Sequence, residues 1–584
     1  MRSQKPDIFE AEETCQTEED ILKSKDLKRF LHIFNKQIAT TIEETIEDIK
    51  DDPNQALQAY FQLRKLKRIG SENISAIAFM NTLNMILVEK IIRQSKNTEF
   101  DREYLDFFTE NARIFMNRGY VPITVNFYDG NFSNPIYPTD DSNSGENDKL
   151  INEFITENTH IELRKLPPGI EYTNFVPSPD PKKILAKAET PEGLGFAAEN
   201  ECSHIVMSTV TYERTSGQRI IDESIKWSDT VTAPRGNISS EILEQNRQYG
   251  VALFEGIGVE KSENGTIKIF RLEDHAERMS KGGQFFDMPP IPAEIYKKMV
   301  IDCVRANEKF IPEKGKGRLY VRPNWFDKGP RLHVKNSNLQ ALTMTAVVIG
   351  SMESYFDKGK KIFFLPKNIF RASENGSGQT KAVGNYGPTI RPNNRAKELG
   401  MAGILYMNEK RTRIEETLAS SFIRVIRRDG RIVLQTPKLS YGTILDSITR
   451  KTLLILAKEE LNWIIEETDI SPEEALEPKS EILGCYAVGT GAGIAPIHSI
   501  KLGNFNNESG EIENLGEEIE ITKYDEVNPI GDEGKELMNV LLDSKDGALL
   551  KRKILELASV SQGTEREKLE NQIATYESWL TTTY

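Results

Sequence analysis

The apolar pattern of this 584-residue chain changes period near residue 200, and that change limits what it can fold into. Before it, apolar residues recur at three- and four-residue steps. Residues 26–50 carry Leu27, Phe30, Leu31, Phe34 and Ile38 at helical spacing and stop at Asp51-Asp52-Pro53. Residues 55–68, 74–94 and 102–116 read the same way, so 26–120 is expected to be an α-helical domain, its short links those of a small bundle. After the change, apolar runs at 252–256, 267–270, 318–322, 342–349, 361–364, 403–406 and 422–426 alternate with helical stretches. That is the texture of an α/β or α+β enzyme domain, expected over 196–545. Between the two, a polar run from Thr139 to Asp148 and the prolines Pro167, Pro168, Pro177, Pro179 and Pro181 mark 121–195 as linker or irregular chain. The first 25 residues are polar and expected to be mobile. Two polar helix-forming stretches, 549–557 and 566–580, form a C-terminal helical extension over 546–584.

Charge and cysteine usage exclude several classes. A formal net charge of −14 argues against nucleic acid as a partner, because phosphate binding needs basic clusters. Cys15, Cys202, Cys303 and Cys485 are too scattered for a disulfide framework or a zinc site, so no metal is expected. The acidic N-terminus has no apolar core of a signal peptide, and the most apolar stretch, 74–92, is broken by Asn81, Asn84, Glu89 and Lys90. The expectation is a cytoplasmic enzyme with no membrane partner.

The densest chemical signal is Gly376-Ser377-Gly378-Gln379-Thr380-Lys381-Ala382-Val383-Gly384-Asn385-Tyr386-Gly387-Pro388. A lone lysine is usually a surface charge. Embedded in this Gly-rich segment, it resembles the cofactor lysine of the fold-type IV pyridoxal-phosphate enzymes, and among them the branched-chain aminotransferase family. In that family the lysine is followed, after two residues, by Gly-Asn-Tyr. The resemblance runs from about residue 242 to 500 and more faintly to 542. It implies an α+β, two-lobed fold-type IV domain, with a small lobe to about 350 and a large lobe after it, preceded here by the N-terminal α-helical region. It also implies pyridoxal 5'-phosphate as cofactor. Lys381 would hold it and shuttle a proton, work that desolvation and a neighbouring cation make possible by lowering the lysine pKa.

The remaining site residues follow from the same resemblance. Tyr386 would bond the cofactor's phenolate oxygen. A carboxylate must sit beside the pyridine nitrogen; the family has a Glu seven residues before a strand-opening Phe, and Glu415 is seven before Phe422, with Glu416 as the less favoured choice. The phosphate would be held by Arg278, by the loop running through Leu445, Ile448 and Thr449 into a helix, and by Thr490 of Gly489-Thr490-Gly491-Ala492-Gly493. On the substrate side the resemblance names Tyr249, Phe254, Tyr320, Arg322 and Tyr355, with backbone N–H groups at Gly491 and Ala492 for the α-carboxylate. Leu332 and Val334 fall where a partner subunit's loop reaches the pocket, which implies a homodimer.

Several positions depart from the family. Glu416 and Leu418 replace small residues, Asp446-Ser447 stands where Pro-Gly is usual, and Ala492 and Ala495 stand where some members carry a redox cysteine pair. The function expected is ping-pong transamination between a branched-chain or similar apolar L-amino acid and a 2-oxo acid such as 2-oxoglutarate. Its rivals are D-amino-acid transamination, aminodeoxychorismate lyase chemistry, a non-catalytic relative, and a fused enzyme–scaffold protein whose N-terminal helices bind an unknown partner.

Overall fold

In the computed structural model, the described residues are 180–195, 202–216, 218–234, 236–238, 242–262, 264–330, 332–351, 359–476, 481–560 and 563–582, with the short strands Tyr120–Pro122, Leu163–Lys165 and Tyr172–Phe175 before them. The expected helices of 26–120 lie outside the described residues. The chain divides into two compact units, the first comprising 1–166, 170–178 and 233–239. In it, Tyr120–Pro122 pairs antiparallel with Leu163–Lys165, and Tyr172–Phe175 with Gly236–Ile238.

The second unit is an α+β domain of two lobes. It holds helix Pro181–Ala188, inside the stretch read from sequence as irregular linker. The same proline that suggested extended chain opens this helix: at the first helical position its missing N–H is no loss, and Asp180 Oδ1 accepts from the Lys182 N–H at 2.9 Å. Ala188 is buried in the core of the small lobe.

The small lobe is built on an antiparallel sheet. Its order among the described residues is Leu580–Thr582, Ile267–Phe270, Ile257–Lys261, Arg318–Asp327, Leu339–Ile349, His204–Thr211, Lys226–Trp227. The central strand Arg318–Asp327 sends Leu319, Val321 and Trp325 to one face, the period-two arrangement of a strand, where helices Leu272–Phe285 and Ala293–Ala306 cover them. Gly283 is required there, since a Cβ would overlap the Trp325 ring. Tyr320 and Arg322, on the opposite face, point away from this core.

The large lobe carries a mixed sheet running Ile464–Glu467, Arg431–Thr436, Ser421–Arg428, Ile414–Thr417, Gly403–Met407, Ile362–Pro366, Ser499–Phe505. Ile362–Pro366 is parallel to both its neighbours, whereas Ser421–Arg428 is antiparallel to Glu481–Gly489. Helix Ile448–Glu459 packs Leu453, Leu456 and Ala457 against Ile423, Val425 and Leu434. Helices Ala548–Ser559 and Thr564–Ser578 contribute Leu549 and Tyr576 to the same core, as does the following residue Trp579. The C-terminal extension is thus part of the large lobe. Its last strand, Leu580–Thr582, crosses to the edge of the small-lobe sheet beside Ile267–Phe270. Among the described residues no helix is long and apolar enough to cross a membrane.

Candidate active site

A cavity of about 690 Å3 opens between the two lobes, and the Lys381 segment forms part of its wall. The segment is held by its asparagine. Asn385 Nδ2 donates to the carbonyls of Ser377 (2.8 Å) and Thr380 (3.0 Å), while Ser377 Oγ donates to Asn385 Oδ1 at 2.5 Å. The Lys381 carbonyl accepts from the Phe254 N–H at 3.1 Å, so the lysine backbone is fastened to the small lobe. Its Nζ lies 3.3 Å from Tyr386 Oη and 4.7 Å from the centre of the Phe254 ring. Burial, and then the nearby Arg278 guanidinium, push the Lys381 pKa below the ordinary lysine range. Burial raises Tyr386 to about 12, which keeps it a neutral phenol able to donate.

The carboxylate facing this amine is Glu416, and the expectation for Glu415 is corrected. Successive side chains of a strand point to opposite faces, and Ile414–Thr417 turns Glu416 to the cavity and Glu415 away from it. Glu415 is buried behind the wall, where it accepts from Thr443 Oγ1 at 2.6 Å and lies 3.5 Å from Arg413 Nη2. Glu416 Oε1 accepts from the Leu445 N–H at 3.1 Å and forms a buried ion pair with Arg371. Burial pushes the Glu416 pKa up; Arg371, the Leu445 amide and Lys381 oppose that shift.

Arg278 extends from helix Leu272–Phe285 into the cavity. Its Nε and Nη2 each donate to Glu255 at 2.7 Å, and Nη1 donates to the Asp446 carbonyl at 3.0 Å. Glu255 is fully buried and also bonds His275 Nδ1 at 2.9 Å. Burial alone would raise the Glu255 pKa, but Arg278 and His275 outweigh it and hold the carboxyl well below the usual range. The departure at Asp446-Ser447 has a local reason: Ser447 is the N-cap of helix Ile448–Glu459, its side chain accepting from the Arg450 N–H, and Asp446 pairs with Lys451 at 2.7 Å. The first N–H groups of this helix have no intrahelical acceptor. They follow Ser447, which lines the cavity. Thr490, Gly491 and Ala492 form the turn opposite, and Arg318 Nη1 donates to the Thr490 carbonyl at 3.1 Å.

The structure therefore gathers Lys381, Tyr386, Arg278, Leu445, Thr490, Phe254, Tyr320, Arg322, Gly491 and Ala492 on one cavity. Ile448 and Thr449 are buried at the helix start beside it, without lining it. Arg322 stacks over Phe254 at 4.7 Å and Tyr320 at 5.2 Å, and its guanidinium has no carboxylate partner among the described residues. Gly256 is needed for this wall, because a Cβ there would overlap Tyr320 Oη. Tyr249, Leu332 and Val334 do not line the cavity. They are exposed together, the Tyr249 hydroxyl donating to the Leu332 carbonyl. Tyr355 lies outside the described residues. Sequence reasoning missed Arg371, a lone arginine ten residues before the lysine with no motif around it, and undervalued Glu255, although it stands in the segment Leu253-Phe254-Glu255-Gly256.

The residues that build this cavity fall largely within a stretch similar to known proteins. Residues 252–500 match the family model for amino-transferase class IV. Branched-chain-amino-acid aminotransferase 1, mitochondrial, of Arabidopsis thaliana is 34% identical over 277 residues, which is 47% of this chain and 68% of that protein. The branched-chain-amino-acid aminotransferase of Helicobacter pylori is 31% identical over 277 residues, 46% of this chain and 76% of that one. Against four of the Arabidopsis relatives, the chain spans 62 to 68% of their length. Among solved structures, the branched-chain amino acid aminotransferase of Thermobaculum terrenum in its PLP form is similar at 21% identity and TM-score 0.44, covering 66% of this chain and 100% of that one. With a relative more than 30% identical matched over three quarters of its length, the chain belongs to the branched-chain aminotransferase family of class IV aminotransferases.

Proposed function

We propose that this class IV aminotransferase uses pyridoxal 5'-phosphate to move an amino group between a branched-chain or similar apolar L-amino acid and a 2-oxo acid such as 2-oxoglutarate, in two half-reactions at one site. The observation that carries this reading is the shared cavity of Lys381, Tyr386 and Glu416, with the Lys381 amine 3.3 Å from the Tyr386 hydroxyl.

The donor set fits the cofactor. A shielded amine of lowered pKa suits an aldehyde, a buried carboxylate suits a ring nitrogen, and Arg278, Thr490 and Ser447 at the N-cap of helix Ile448–Glu459 suit a phosphate. Tyr386 would donate to the ring's phenolate oxygen, and Leu445 ties the phosphate loop to Glu416 through its N–H. When bound, pyridoxal phosphate supplies the electron sink that stabilises negative charge at the substrate Cα.

The chain's own groups do the rest. Lys381 Nζ would take a proton from the substrate Cα and deliver it to the cofactor's C4′, work that a pKa lowered by burial and by Arg278 favours. The Gly491 and Ala492 N–H groups donate to the α-carboxylate. Phe254 and Tyr320 present an apolar wall to the side chain, and the guanidinium of Arg322, which bonds the Tyr320 hydroxyl at 3.3 Å and has no carboxylate partner among the described residues, receives the second carboxylate of 2-oxoglutarate. The exposed apolar side chains Tyr249, Leu332 and Val334 support a homodimer in which this loop meets the partner's pocket. A cytoplasmic location, and a partner for the N-terminal region, complete the proposal.

A panel of leucine, valine, aromatic amino acids and D-alanine with 2-oxoglutarate tests it. Turnover of leucine and valine above the others is expected. Turnover of D-alanine in place of leucine and valine overturns the substrate assignment.

A further inference from the structure

Arg371 is tied to three of the segments that build the cavity. Its side chain is only 3% exposed. Nη2 pairs with Glu416 Oε1 and donates to the carbonyls of Thr443 at 2.6 Å and Gly378 at 3.1 Å. Gly378 is three residues before Lys381. Thr443 is two residues before Leu445, whose N–H donates to the same Oε1. One oxygen of Glu416 is therefore engaged twice at the wall, and Oε2 takes part in none of these contacts. A guanidinium without a carboxylate would be costly at this depth, and so would a carboxylate without a cation.

We propose that Arg371 is the positioning residue for Glu416: it grips Oε1 against the wall, so that Oε2 is presented to the ring nitrogen of the cofactor. The inference rests on Glu416 being that nitrogen's partner. Without Arg371, Glu416 is free to rotate and to take up a proton, since burial already pushes it in that direction. A neutral acid no longer keeps the ring nitrogen protonated. With the cofactor bound, Lys381 Nζ would then be more basic, because a less electron-poor ring would face it.

The test uses the full chain as wild type, Arg371→Gln and Arg371→Lys, each loaded with pyridoxal phosphate. The visible band of the lysine-bound cofactor is titrated with pH, and cofactor affinity is measured by fluorescence quenching. In Arg371→Gln the midpoint of the titration is expected to rise by about one pH unit and the affinity to fall about tenfold. Arg371→Lys, which keeps the charge but not the planar fork, should fall between. A folded Arg371→Gln protein with the wild-type midpoint and affinity overturns the proposal. If that variant does not fold, Arg371→Lys decides: an upward shift supports the proposal and an unmoved midpoint overturns it. A wild-type protein with no visible band overturns the reading of the site and this inference together; a wild-type band with unmoved variants overturns the role of Arg371 alone.

Discussion

Glu415 and Glu416 are neighbours in the chain yet stand on opposite faces of the strand Ile414–Thr417, one bonded to Thr443 behind the wall, the other paired with Arg371 in the cavity. Their amides should therefore behave differently. Glu416→Gln removes the buried charge facing Lys381 and is expected to lower kcat by about 10²–10³-fold. Glu415→Gln keeps the Thr443 contact possible and should retain most activity, at about 1–3 kcal/mol of stability. Steady-state kinetics beside melting curves for both variants separate the two; equal kinetic losses would put the assignment back in question.

Arg278 reaches the cavity with its fork fixed by Glu255. Glu255→Gln leaves a buried guanidinium with half its partner, and breaking such a pair costs about 3–5 kcal/mol. Both a lower melting temperature and weaker cofactor binding are expected. Unchanged cofactor affinity in this variant would mean that Arg278 does not depend on Glu255 for its position.

The small lobe contains an acid-sensitive group remote from the cavity. His204 is buried between Ser203 and Asn307, and burial lowers its pKa to about 4. Below about pH 6.5 the unfolded chain binds this proton and the folded one does not, so stability falls from there until about pH 4 and then levels. The contribution is about 3 kcal/mol at most. His204→Asn should show a shallower loss of melting temperature across that window; a parallel curve would show that other groups account for the acid response.

The C-terminal strand joins the lobes through Trp579. Its carbonyl accepts from the Arg271 N–H, and the Arg271 guanidinium lies 5.0 Å from the centre of the indole while Nη1 reaches Thr452 at 2.8 Å. Trp579→Ala empties a buried site in the large-lobe core and is expected to cost about 3–5 kcal/mol. Chemical denaturation measures it. A loss below 1 kcal/mol would mean that this strand does not contribute to the lobe.

The parts legible in the sequence were those fixed by local chemistry. The Lys381 segment is legible as a short contiguous motif resembling the family's, because Asn385 closes its loop on neighbouring carbonyls, and the apolar run at 318–322 marks the start of the longer strand Arg318–Asp327. Glu416 was not, because counting seven residues back from Phe422 fixes no strand face when the length of the intervening turn, Leu418 to Ser420, is unknown. A shift of one residue reverses the side. Arg371 gave no local signal, since its partners Gly378, Thr443 and Glu416 come from three separate segments. The C-terminal helices read as an extension because their buried positions, Leu549, Leu569 and Tyr576, are few among polar residues.

Everything proposed for this site depends on Lys381 holding pyridoxal phosphate. The most direct measurement is the absorbance spectrum of the purified protein after addition of the cofactor and removal of the excess. A visible band is expected that borohydride abolishes and that Lys381→Ala lacks. A wild-type protein without that band, or a Lys381→Ala protein that keeps it, would show that Lys381 does not hold the cofactor.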